Sequence, residues 1–158
     1  MTINANSEMI RGGTMCLSKA GLGIGSTPAE LSIAAPNGAG VDYAINGVMY
    51  HLADDATVAV TAAAAQAALT TCIYLVCLDS SGTLSTVKGT AVTTADITSG
   101  KTPLTFPQPT ANTCPIGYVK VVTASGYTFT AATTDFDATG ITSTYTDILA
   151  VPAAPIVS

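Results

Sequence analysis

Four groups of residues in this chain could take part in chemistry: one histidine, two pairs of aspartates, four cysteines, and a glycine-rich stretch through its backbone amides. A nucleophilic triad needs a base beside a serine and an acid. The only histidine is His51, and no Gly-x-Ser-x-Gly elbow occurs. Asp54/Asp55 and Asp135/Asp137 are the available carboxylate pairs. General acid–base work requires such groups in a cleft with separated pKa values. Both pairs instead flank turn-like segments, where Asp accepts from local backbone amides. One such pair also supplies too few oxygens for calcium. Cys16, Cys72, Cys77 and Cys114 form no Cys-x-x-Cys, and His51 has no cysteine near it in sequence, so zinc-site spacing is missing. These cysteines are expected to be buried reduced thiols, packing as small hydrophobes. Gly21-Leu22-Gly23-Ile24-Gly25 has the glycine density of a phosphate loop, but no apolar strand precedes it and no lysine stands where a Walker loop needs one. The expectation is a non-enzymatic protein with no cofactor and no metal.

The composition points the same way. Charged residues make up 9%, against roughly 25% in an ordinary soluble domain. Mean hydropathy is +0.47, Trp is absent, and much of the apolar fraction is alanine. A monomer with so little charge is poorly solvated and tends to associate. Its abundant Thr and Ser can line contacts without the desolvation cost of charges. Net charge is −5, and no two of the five basic residues are neighbours, so the clustered cations that phosphate contacts need are missing and no nucleic-acid partner is expected. The N-terminal stretch lacks the charged and apolar regions of a secretory signal, which fits assembly in a reducing cytoplasm. Val58–Leu78 is long enough to span a bilayer. Its first half is mostly alanine, Gln66 lies near its middle, and Asp54, Asp55 and Asp79 bracket it instead of Lys or Arg. No membrane helix is therefore expected.

The elements that must position any binding surface divide near residue 40. Residues 1–40 hold half of the 14 glycines and no sustained alternation, and read as an extended arm that gains order by lying on a partner. Its apolar side chains, Ile10, Met15, Leu17, Leu22 and Ile24, are the candidate partner-binding residues. Thr27-Pro28-Ala29-Glu30 has the residues of a helix start, with Pro36 ending it. Residues 41–150 read as a β domain and 151–158 as a non-regular tail. Val41–Ile45 and Val48–Leu52 alternate about Asn46-Gly47, the strongest short hairpin signal, with His51 on the face opposite Tyr50. Val58 and Val60 mark a short strand, and Thr61 is placed to cap an Ala-rich helix over 62–69. Ile73–Leu78 reads as a strand buried on both faces, returning through Asp79-Ser80-Ser81-Gly82 into Thr83–Val87. A proline-marked loop follows over about 99–113. Ile116–Thr123 reads as a strand paired through Ser125-Gly126 with Tyr127–Thr130, where Tyr127 and Phe129 share a face; a last strand covers Ile141–Ile148. The fold class expected is mainly β: a β-sandwich or small β-barrel with an extended N-terminal arm and at most one short helix.

Several stretches resemble small tailed-bacteriophage virion proteins of the head-decoration or head-fibre kind. They are Tyr43–Tyr50, Gln66-Ala67-Ala68, Cys72–Val76 leading into Asp79–Gly82, Cys114–Lys120, and Thr134-Asp135-Phe136 through to Ile148. The resemblance covers roughly residues 41–148 and carries no catalytic residue. It implies a protein on the outside of the phage head, partnered by the major capsid protein and often trimeric. The alternative is a tail-fibre or adhesin module that binds a host glycan, with Tyr118, Tyr127 and Tyr145 as candidate contacts.

Overall fold

The computed structural model describes residues 13–27 and 29–149. Its strands are β1 (Met15–Cys16), β2 (Leu22–Ile24), β3 (Leu31–Ile33), β4 (Val41–Ile45), β5 (Val48–Leu52), β6 (Asp55–Val58), β7 (Thr70–Leu78), β8 (Leu84–Lys88), β9 (Val92–Thr93), β10 (Cys114–Thr123) and β11 (Ile141–Asp147). One short helix, α1 (Thr94–Thr98), follows β9. The strands form three sheets, β1-β4-β5, β2-β3-β6 and a five-stranded sheet in the order β11-β10-β7-β8 with β9 also on β7; none of them closes into a barrel. The mainly β class, with one short helix among the described residues, is as expected.

Local chemistry explains the elements that the sequence announces. Asn46 (φ 51°) and Gly47 (φ 82°) both take the left-handed conformation that a two-residue hairpin turn demands, which sets Tyr43 opposite Tyr50 and Ile45 opposite Val48. All nine residues of β7 are buried, as a continuous apolar run requires when both faces are covered. The Asp79 carboxylate accepts from the amides of Ser81 and Thr83, and Gly82 (φ 81°) closes the turn into β8. Pro115 can donate no ladder hydrogen bond, and the register of β10 on β7 slips between Pro115 and Gly117.

One core joins the three sheets: Cys16, Tyr43 and Ile45 from the first, Leu31 and Ile33 from another, and Cys72, Tyr74, Val76, Val119 and Val121 from the five-stranded sheet. A second, smaller cluster lies on the other face of that sheet, where Ile73, Val92 and Leu104 pack with Ile97, Phe106 and Tyr118.

Four sequence expectations need correction. The described part of residues 1–40 is extended, but it is built into the β domain: β1 pairs with β4, β3 pairs with β6, and Leu31, Ile33 and Cys16 are core residues. No helix follows Thr27; the Glu30 amide donates to the Thr27 carbonyl in a turn, and β3 begins at once. Residues 62–69 are not helical either, because Gln66 forms an isolated bridge with Phe129. That bridge takes the place of a Tyr127–Thr130 strand on β10, whose partners are β7 and β11, and it separates Tyr127 (exposed) from Phe129 (buried). The helix that does form, α1, is capped by the Thr93 hydroxyl accepting from the Asp96 amide, a Thr-x-x-Asp pattern the sequence reading passed over.

Gln66 is fully buried and holds this irregular region in place. Its Nε2 donates to the carbonyls of Thr70 (3.1 Å) and Val121 (3.0 Å), and its Oε1 accepts from the Tyr74 hydroxyl (3.3 Å). Removing one partner from a buried network strands the others, at about 1–3 kcal/mol each. Gln66→Met keeps the volume and deletes the amide. It is expected to lower unfolding stability by about 2–4 kcal/mol, read from the urea midpoint; a loss under about 1 kcal/mol would deny the clamp.

Candidate functional site

The residues with chemical potential do not converge. His51 lies on the outer face of β1-β4-β5, half exposed, with Nδ1 2.8 Å from Asp42 Oδ1 and no serine or cysteine in that pair. Asp55 accepts from the Thr57 amide, the local backbone role expected of it, whereas Asp54 accepts from the Ala35 amide 19 residues away. The Gly21–Gly25 stretch is β2 and its flanks, paired with β3. Among the described residues no cluster of three or more His, Cys, Asp or Glu is placed to hold a metal ion. Nor is any described helix long and apolar enough to cross a membrane, and the Val58–Leu78 run ends in β7.

The candidate partner-binding residues separate. Ile10 lies outside the described residues. Met15 and Leu17 are each 44% exposed. Met15 sits opposite Ala44, and Ala44 opposite Met49, so the three form one row across the outer face of β1-β4-β5. Met49 is 70% exposed, and the sequence reading missed it. Alternation along β5 marks it as outward beside the core-facing Tyr50, but its partner row is set by pairing alone. Leu17 follows directly after β1, with its amide on the Asp42 carbonyl. Leu149, also exposed, accepts from the Cys16 amide and so lies beside β1. The Asp42–His51 pair stands in the adjacent row on the same face. The result is a sheet face with thioether and aliphatic side chains toward water and one internally paired acid.

Leu22 does not belong to this surface. It packs on the core, its amide donates to Asp147 Oδ1 (3.0 Å), and it fills the space that a side chain on Gly117 would need. Ile24 is exposed, but on the β2-β3-β6 sheet. The three tyrosines also part company. Tyr118 packs edge-on against Phe106 on the small-cluster side, Tyr145 packs against Phe136 on the main-core side, and Tyr127 is exposed outside the strands. They make no common aromatic platform.

A concavity of about 140 Å3 opens between α1 and the five-stranded sheet, lined by Thr71, Thr94, Ile97, Thr98, Leu104, Lys120 and Val122. Thr71 and Thr94 share a hydroxyl hydrogen bond at its edge (3.1 Å).

All four cysteines are free and buried. Desolvation pushes Cys16, Cys72 and Cys77 up to about 11 and Cys114 up to about 12, so none is a thiolate near neutral pH and none is a nucleophile. Burial likewise raises Tyr43 and Tyr74. A group whose pKa is higher in the fold than in the unfolded chain adds stability below the unfolded value, and that stability is lost as pH climbs toward the folded value. The urea midpoint should therefore hold level just below about pH 9 and fall between about pH 9 and 11, with the thiols unreactive to a disulfide reagent until the chain unfolds. A midpoint that rises over this window, or rapid labelling of the native protein, would contradict the thiol assignment.

No family model, curated protein or solved structure matches the chain. The likeness to phage virion proteins rests on the sequence motifs alone.

Proposed function

We propose that the chain is a non-enzymatic structural subunit, of the capsid-decoration or head-fibre kind, which attaches to the outside of a phage head and associates with copies of itself. The observation that carries the assembly part is that Met15 and Met49, either side of the buried Ala44, and Leu17 and Leu149 beside them, face water on a chain that has little charge to solvate them. Burying such a row yields about 25 cal/mol per Å2 of apolar area. Methionines adapt to the shape of whatever covers them. Asp42 and His51 in the adjacent row are hydrogen-bonded to each other, so each has a partner within the face. The virion setting and the trimer come from the motif resemblance, with the major capsid protein as the partner it implies.

Met49→Lys places a charge in the middle of the proposed contact, at a position too exposed to matter to folding. Unfolding stability is expected to stay within about 0.5 kcal/mol of the parent. Light scattering at micromolar concentration should show the parent as an oligomer and the variant shifted to the 15.8 kDa protomer. A monomeric parent, or an oligomer indifferent to the substitution, sinks the proposed face. An antibody to the purified chain should label the outside of phage heads in negative stain; absence of label from every particle fraction sinks the virion assignment.

A further inference from the structure

The concavity beside α1 belongs to a different surface from the proposed docking face, and its chemistry differs. The second layer of the molecule, α1 and the loop after it, covers β7 and the near side of β10 through Ile97, Leu104 and Phe106. It stops short of β11. Along this face Thr144 lies opposite Lys120 and Thr142 opposite Val122, and both threonines are exposed. The pocket thus sits at the step where a covered sheet becomes an open one. Lys120 stands at that step, half-buried.

The other lysines near this sheet are occupied. Lys88 Nζ donates to the carbonyls of Ala64 and Ala65, and Lys101 pairs with Asp96 at 3.4 Å. Lys120 has neither kind of partner among the described residues, and no acidic side chain lines the pocket. Lys120 lines the pocket beside Ile97, Leu104 and Val122 with no counter-charge, so an anion placed there gains a charge-assisted hydrogen bond. Thr71, Thr94 and Thr98 add hydroxyls to the wall. The size decides what fits. Drug-sized ligands occupy pockets of about 300 Å3 or more, so about 140 Å3 admits one small head group, with the remainder of the ligand outside. Outside lies the exposed Thr142 and Thr144 column, whose hydroxyls both donate and accept.

We infer that this pocket binds the carboxylate of a sugar acid, with Lys120 on the carboxylate, the sugar's C–H face on Ile97, Leu104 and Val122, and its hydroxyls on Thr142 and Thr144. No bond is made or broken. The inference is independent of the assembly face, since none of its residues lies on β1-β4-β5.

Amide chemical shifts of the full chain, titrated with glucuronate, glucose and acetate at constant ionic strength, test it. Glucuronate is expected to give saturable shifts at Thr71, Thr94, Thr98, Lys120 and Thr144, glucose none, and acetate shifts only at the pocket with at least about tenfold weaker affinity. Lys120→Gln should weaken glucuronate at least about tenfold, while Lys120→Arg, which keeps the charge, retains saturable binding; together they separate loss of charge from loss of fold. Three results overturn the inference: no saturable shift with glucuronate, equal affinity for glucuronate and acetate, or undiminished binding by Lys120→Gln with the fold intact.

Discussion

β7 is buried along all nine of its residues, and the other elements of the structure follow from that. A strand with water on neither face needs a cover on each. The inner cover is the pair of small sheets, which bring Tyr43, Ile45, Leu31 and Ile33 onto Cys72, Tyr74 and Val76. The outer cover is α1 and the proline-marked loop, which bring Ile97, Leu104 and Phe106 onto Ile73. Each large side chain removed from water in this way contributes about 1.5–3 kcal/mol, so a chain poor in aromatics gains much of its stability from one doubly covered strand. The glycine-rich N-terminal region is drawn into the fold for the same reason. Without β1 and β3 the inner cover would be incomplete.

This dependence explains which parts of the fold were legible in the sequence. The β4–β5 hairpin was, because Asn46-Gly47 determines the turn and alternation determines the faces within twelve residues. β7 was, because an unbroken apolar run of strand length has few other uses. The region around Gln66 was not. Its alanines favour a helix locally, but Gln66 must reach Val121, 55 residues away, to satisfy its amide inside the core, and the Phe129 bridge fixes it in extended form. Phe129 then turns inward to Tyr74 and Phe136 and cannot share a face with Tyr127. A contact made at such separation leaves no trace in either local stretch.

The binding surfaces were legible to a smaller degree, for a related reason. Met15 and Leu17 could be noted as apolar residues without a pattern, and so could Leu22 and Ile24. What distinguishes them is the strand lying alongside. β4 carries Ala44 next to Met15 and leaves room for Met49 beyond it, whereas β10 offers Leu22 the bare backbone of Gly117 and takes it into the core. Lys120 gave no signal, because a lone lysine in a strand ordinarily faces solvent. Only the edge of the α1 layer turns it into the wall of a pocket.

The two outer faces differ in how they solve the problem of low charge. The five-stranded sheet is dressed with hydroxyls: Thr142 and Thr144 on β11 are exposed and keep an edge strand from presenting an apolar stripe to other chains. The β1-β4-β5 face has no such dressing, and its one acid, Asp42, is hydrogen-bonded to His51 within the face. Exposed apolar side chains occur elsewhere too, at Ile24 and Leu69, but on β1-β4-β5 Met15 and Met49 flank the same position of β4, so a surface that covers one also covers the other.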